Sequence, residues 1–196
     1  MATRRTWTNN TGVRVRGISH MHEIMEAARI IADVEVLVGV PGEMTERKDD
    51  DKPSEITNAA LAYIHDNGQP EVGIPARPFM LPGMKDAEPF VEKGLGQAMR
   101  AALRGNVTEA EQKMHAVGLV AQSSIRKKID EGIPPPLSDY TLKKRAERGR
   151  RGAMTELDRR AEGKEPSMVF ARPLIDTGEM RKSITYVIRS RKKRKR

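Results

Sequence analysis

The stretch PLIDTGEMRKSITYVI, residues 173–188, decides the fold that this sequence predicts. It begins with a proline, continues through a Thr-Gly pair and a short polar segment, and ends in a run of strand-forming residues. Gly178 tolerates a positive φ, and Thr177 can accept a hydrogen bond from a nearby backbone N–H, so the pair predicts a turn. The stretch holds no nucleophile with a base and an orienting group, and no metal-ligand spacing. It therefore predicts a structural role.

The end of this stretch predicts a strand, and a partner strand occurs much earlier in the chain. Ile184, Tyr186 and Ile188 alternate with other residues, as side chains on one face of a strand do. Residues 34–40, VEVLVGV, carry valine at every second position. We expect these two segments to lie in one sheet.

Helical periodicity fills much of the chain between the two strands. Four helices are expected, each with a capping or breaking residue near one end. They begin after Ser19, after Ser54, at residue 86, and at Asn106 or Thr108. In the third of them the inward face is expected to carry mainly large side chains, namely Phe90, Val91, Leu95, Met99, Ala102 and Leu103. The predicted fold class is α+β, with a small antiparallel or mixed sheet packed against several helices.

The composition indicates that the core is small for the length of the chain. Hydrophobic residues make up 37% of the 196 residues and aromatic residues 4%, whereas globular domains average about 45–50% apolar residues with glycine counted. The predicted organisation is therefore a core with long extended arms, which neighbouring subunits can order. Its parts are an N-terminal arm at 1–12, an α+β core at 13–132, an extended arm at 133–172, the turn and sheet-completing strand at 173–188, and a basic tail at 189–196.

The positive charge is concentrated at the C-terminus. The formal net charge is +9, and the last eight residues, RSRKKRKR, contain seven basic groups and no acid. We expect these groups to contact a polyanion, either nucleic acid or an acidic protein surface. They are Arg189, Arg191, Lys192, Lys193, Arg194, Lys195 and Arg196. The alternative is a solvated terminus that self-repulsion keeps disordered.

Patterns that could carry catalysis are incomplete in this sequence. There is no cysteine. The pair His20-x-His22 lacks the i, i+4 spacing of a helical zinc site, and Gly94-x-Gly96 lacks the third glycine of a dinucleotide-binding loop. We expect no enzyme activity, no cofactor and no metal. No apolar run reaches the roughly 18 residues of a membrane span, so a soluble protein that is not exported and does not contact membranes is expected.

Three separated segments resemble one family when they are taken in order. They are GIPARPFM at 73–80, IPPPLSDYTLKKR at 133–145, and PLIDTGEMRKSITYVI at 173–188. Together they resemble the neck and tail-completion (virion morphogenesis) proteins of tailed bacteriophages. Two positions depart from the family pattern, since Pro135 stands where tryptophan is usual and Met180 where leucine is typical.

The resemblance implies a non-catalytic subunit of the head-to-tail junction that joins the capsid and portal assembly to the tail. Its expected partners are copies of itself in a six- or twelvefold ring, neighbouring neck, portal-adaptor and tail-tube or terminator proteins, and DNA in the ring lumen, reached by the basic tail. Its expected location is the virion, after assembly in the host cytoplasm. The residues expected at the assembly interface are Arg77, Pro78, Phe79, Leu137, Thr177, Gly178, Met180 and Ile184.

Two alternatives stay open at this point. One is a tail-terminator ring, which differs from the first interpretation only in its location. The other is a non-catalytic nucleic-acid-binding protein that acts through its basic tail, which would bind DNA in a salt-sensitive manner without forming a specific ring.

Overall fold

A computed structural model describes most of the chain. The described residues are 4–8, 14–18, 22, 24–26, 29, 33–42, 48–49, 52–53 and 56–191. None of the helices in these ranges is long and apolar enough to cross a membrane.

The strands of the described residues form three two-stranded sheets. Strands β1 (Arg4–Thr8) and β2 (Arg14–Ile18) pair antiparallel, as do the short strands β4 (Lys48–Asp49) and β5 (Lys52–Pro53). Strand β3 (Val34–Gly39) pairs with β6 (Thr185–Ser190), the last strand of the chain. The predicted pairing of residues 34–40 with the end of the 173–188 stretch is confirmed.

Helices account for most of the remaining described residues. Six α-helices lie wholly within the described ranges: α1 (Asn58–Asn67), α2 (Met80–Leu103), α3 (Val107–Glu131), α4 (Asp139–Glu147), α5 (Arg151–Ala161) and α6 (Glu179–Ser183). His22, Ile24, Met25, Glu26 and Arg29 are also helical, in the segment where a helix is expected after Ser19. With its helices and small antiparallel sheets the chain belongs to the α+β class.

The chain divides into two compact units, each with its own core. The first comprises residues 1–36, 92–117 and 188–196, and the second comprises residues 37–91 and 118–187. The core of the first unit consists mainly of alanines from α2 and α3, with Val34, Val36 and Ile188 packed against them. The second unit has two clusters of buried side chains. One surrounds Phe79 and Ile125, and the other lies between α4 and α5.

Small residues allow close packing in both cores. A Cβ atom added to Gly83 of α2 would lie 2.6 Å from the Cα of Ile125 in the second unit, and one added to Gly94 would lie 2.5 Å from the Cγ2 of Val117 in the first. Such contacts leave no room for a larger side chain. The prediction of which side chains of α2 face the core is therefore wrong in part. Alanines 87, 98, 101 and 102 are buried, whereas Phe90, Leu95, Met99 and Leu103 are exposed.

Two expected arms contain regular structure instead. Residues 4–8 of the predicted N-terminal arm form β1, and the predicted extended arm at 133–172 contains α4 and α5. The second arm buries apolar side chains of its own, because Leu137, Leu142, Ala153 and Ala171 pack together. A helical turn near Thr141 to Arg148 is compatible with the sequence, but the full helices were not predicted, because few large apolar residues recur here at helical spacing.

A buried carboxylate stabilises the end of this helical pair. Glu156 of α5 is fully buried, and it accepts hydrogen bonds from Arg159, from Arg160 and from the backbone N–H of Ser167. Arg159 also donates to the carbonyl of Glu165. The hydrogen bond from Arg159 is the main cause that lowers the pKa of Glu156 to about 2 from its usual 4.5. Glu156 thereby fixes residues 165–167 against α5.

The depressed pKa of Glu156 leads to an expected pH dependence. Its stabilising effect is present above the unfolded pKa of 4.5 and is lost as the pH falls through the folded pKa of about 2. We expect Glu156→Gln to be less stable than the wild type at neutral pH, and the two free energies of unfolding to converge in acid. Urea denaturation at a series of pH values measures this convergence. Glu147→Gln, at an exposed ion pair with Lys144, is the control. Parallel curves for wild type and Glu156→Gln would contradict the expectation.

Candidate functional site

The three segments that carry the family resemblance meet at one cavity in the second unit. The cavity has a volume of about 500 Å³ and is lined from residues 73–77, 135–148 and 173–180, together with Leu61 and His65. We call it the motif cavity. Its wall combines prolines and aliphatic side chains with several charged groups, so it is suited to hold a protein segment by both apolar and polar contacts.

A buried arginine joins the first segment to the second. Arg77 is only 5% exposed, and its guanidinium donates two hydrogen bonds to the carbonyl oxygen of Pro135, at 3.3 Å from Nε and 2.9 Å from Nη2. Its backbone N–H donates to the carbonyl of His65 at 2.8 Å. Burial lowers the pKa of Arg77 from its usual range. The side chain thus fixes the distance between the two segments.

A second buried arginine joins the second segment to the third. Arg145 is 8% exposed. Its Nη1 donates to the carbonyls of Arg172 and Ile175 at 2.9 and 2.8 Å, and its Nη2 donates to the carbonyl of Pro173 at 2.8 Å. Desolvation on burial is the main cause that lowers its pKa, and the nearby carboxylate of Asp176 opposes this effect. Arg145 therefore determines the path of the chain into the 173–188 stretch.

A carboxylate outside the three segments positions the first of them. Asp66, near the end of α1, accepts hydrogen bonds through Oδ1 from the backbone N–H groups of Phe79 and Met80, at 2.7 and 3.0 Å. A carboxylate at this place satisfies N–H groups that the first turn of a helix leaves unpaired. It explains why α2 begins at Met80 and not at residue 86, where the sequence predicts its start. The capping residue lies more than a dozen positions away, so local sequence rules do not find it.

The turn predicted at Thr177 and Gly178 is confirmed. Gly178 has a φ of +80°, in the left-handed region, and directly precedes α6. Thr177 Oγ1 accepts a hydrogen bond from the backbone N–H of Glu179 at 3.3 Å. Both residues line the motif cavity.

The structure brings together five of the eight residues expected at an assembly interface. Those that line the motif cavity are Arg77, Leu137, Thr177, Gly178 and Met180. Pro78 is exposed but is not part of the lining. Phe79 and Ile184 are completely buried in the core of the second unit. A side chain that is buried within its own chain can affect an interface only by fixing the surface above it.

The residues expected to contact a polyanion divide into two groups. Arg189 belongs to β6, and its Nε lies 2.7 Å from Glu35 Oε1. The backbone N–H of Arg191 donates to the carbonyl of Asp33 at 2.6 Å. The basic tail thus begins after a strand that includes Arg189. Lys192, Lys193, Arg194, Lys195 and Arg196 lie outside the described residues.

The described residues contain no group of three or more histidine, aspartate and glutamate side chains that is arranged to hold a metal ion. The motif cavity presents a surface that two buried arginines of its lining hold in place. Sequence reasoning missed the parts played by Asp66, Arg145 and Asp176. Arg145 and Asp176 lie inside the segments that carry the family resemblance, and this position was the available sign of their importance. A sequence does not show that the two residues lie close together.

Comparisons of this chain with models of protein families, with curated proteins and with solved structures found no match.

Proposed function

We propose that this chain is a structural subunit of the head-to-tail junction of a tailed bacteriophage, a neck or tail-completion protein that forms a homo-oligomeric ring. The observation that carries the proposal is the meeting of the three family-like segments at the motif cavity. These segments lie up to about a hundred residues apart in sequence. Two buried arginines tie them together, which is expected when their joint surface has one function.

Exposed apolar side chains beside these segments support an assembly role. Val72 precedes the first segment, Leu81 follows it, and Tyr140 lies inside the second. Their exposed fractions are 61%, 76% and 73%. Single exposed apolar residues are ordinary on a protein surface, but protein interfaces are enriched in aromatic side chains and depend on a few apolar anchors. In the proposed ring, the motif cavity and these exposed apolar side chains contact a neighbouring subunit or an adjoining ring.

The ring is tested with the full chain at high concentration, by light scattering and by electron microscopy of negatively stained particles. The wild type is expected to form closed rings, either alone or with adjoining neck and tail proteins. Pro75→Arg places a charged side chain at the exposed lining of the motif cavity and is expected to prevent assembly while the unfolding midpoint stays unchanged. Ser123→Arg, at an exposed position of α3 in the same unit, is the matched control.

The outcomes separate the candidate functions. A wild-type chain that stays monomeric in every mixture contradicts the ring. If that monomer binds DNA, and the binding disappears when Lys192–Arg196 are replaced by glutamine, the alternative nucleic-acid-binding function is supported instead. Rings from Pro75→Arg as abundant as those from the wild type would contradict the assignment of the interface to the motif cavity.

A further inference from the structure

A second cavity of the same unit is lined by an excess of arginine. Its volume is about 380 Å³, and its charged lining residues are Arg145, Arg150, Arg151, Arg172 and Asp176. We call it the arginine cavity. The lining thus contains four arginines and one aspartate. A concave surface with a formal excess of positive charge attracts anions, because the low-dielectric wall concentrates the field.

The one carboxylate of the arginine cavity is already shared among several cations. Asp176 lies 3.0 Å from Arg150 Nε, 3.0 Å from Arg148 Nη2 and 3.8 Å from Arg145 Nε. Arg145 makes its other contacts with backbone carbonyls, which carry no net charge. One carboxylate thus contacts three arginines.

The remaining arginines of the cavity point to the same excess. Arg151 and Arg172 are exposed, and neither has a carboxylate partner within the described part of the chain. Arg151 is the first residue of α5, a helix without an acidic residue in its first turn and without a side-chain cap. The start of a helix carries a partial positive charge of its own, so the usual compensation is missing where the arginines gather.

An exposed aromatic side chain lines the same cavity. Phe170 is 49% exposed, and Val169 beside it is 75% exposed. A Cβ atom on Gly152 would lie only 2.0 Å from the carbonyl oxygen of Phe170, so the backbone of Phe170 lies directly against the first turn of α5. Arginines that can bind phosphate next to an aromatic ring that can stack on a base are the combination that binds single-stranded nucleic acid.

We propose that the arginine cavity binds a strand of nucleic acid, with a backbone phosphate at Arg151 and Arg172 and an unpaired base against Phe170. An acidic protein segment would use the arginines but would gain nothing specific from the ring, so the aromatic residue favours nucleic acid. This site adjoins the motif cavity, with which it shares Arg145 and Asp176 in its lining, and it uses none of the residues of the basic tail. It goes beyond the proposed ring and does not depend on it.

The test is fluorescence anisotropy with a labelled single-stranded oligodeoxynucleotide of about twelve nucleotides, a length that a single small site can bind. All proteins are full chains in which Lys192–Arg196 are replaced by glutamine, so that the tail does not mask the site. Arg151→Gln with Arg172→Gln is expected to weaken binding about tenfold or more. The double substitution is also expected to reduce the dependence of the binding constant on salt concentration by the amount that corresponds to about one to two phosphate contacts. The control is Lys127→Gln with Lys143→Gln, which removes the same charge from exposed positions outside the cavity and should change binding less than about threefold.

Two further measurements identify the ligand. Phe170→Leu is expected to weaken binding of the single strand about fivefold or more and to leave binding of a duplex of equal length unchanged, since stacking requires an unpaired base. Equal losses in the arginine variant and the lysine control would overturn the site. Equally tight binding of a labelled oligoglutamate would overturn the assignment to nucleic acid, and so would the absence of binding by the parent chain. The circular dichroism melting curve of each variant reports whether it folds.

Ring formation by the same variants is scored separately by electron microscopy. Rings from the arginine variant together with unchanged DNA binding would overturn the DNA site alone. Arginine-dependent binding by a chain that never forms rings would contradict the proposed junction role and leave the DNA site standing.

Discussion

Replacing Arg145 with methionine is expected to lower the free energy of unfolding by about 3 to 4 kcal/mol, because hydrogen bonds to a charged group contribute about 1.5 to 3 kcal/mol each and their loss is not additive. Methionine keeps much of the length of the side chain and cannot donate. The carbonyls of Arg172, Pro173 and Ile175 would then lose the donor that satisfies them in a buried place. Urea denaturation of the full chain measures the loss.

The control for this prediction lies one position earlier in the same helix. Lys144→Met removes a side chain that is about half exposed and pairs with Glu147 at the surface. Surface ion pairs contribute little to stability because water and salt screen them, so this variant should unfold close to the wild-type midpoint. Equal losses in the two variants would mean that Arg145 does not hold the 173–188 stretch in place.

The contrast between Arg145 and the predicted β-strands shows what a sequence can and cannot predict here. The period-2 valines of residues 34–40 and the alternation that ends at Ile188 are local patterns, and they identified strands β3 and β6 correctly. The turn at Thr177 and Gly178 is likewise encoded by the chemistry of the two residues themselves. Where the physical cause is local, prediction from the sequence worked.

The features that were missed depend on contacts between distant residues. Asp66 caps α2 across an intervening loop, so the start of that helix could not be predicted from its own first turn. The packing of α2 uses glycine and alanine for close approach, which inverts the usual expectation that the largest apolar side chains face inward. Arginine side chains usually lie at the protein surface, yet Arg77 and Arg145 are both buried, because backbone carbonyls surround them.

Phe79 is a residue that the sequence suggests for an interface and that the structure places in the core. The sequence places Phe79 beside Arg77 in a proline-rich segment, which suggests an anchor for a partner. In the structure its ring is completely buried among Ile125, Ile129 and Ile184. Its backbone N–H donates to Asp66, so ring and backbone are both fixed inside the chain. Phe79 is therefore expected to support the first segment from beneath.

Phe79→Ala is expected to lower the free energy of unfolding by about 3 to 5 kcal/mol, since removal of a buried phenylalanine ring loses apolar burial and leaves a cavity. Pro78→Ala, at the exposed neighbouring position, is the control and should cost about 1 kcal/mol or less, mainly through the greater flexibility of the unfolded chain. Both are measured by urea denaturation at protein concentrations where light scattering shows monomers, because assembly would add its own stabilisation. If Phe79 were instead an anchor for a neighbouring subunit, its replacement would leave the stability of the monomer unchanged and weaken assembly alone. A large loss that is independent of concentration assigns Phe79 to the core of the monomer.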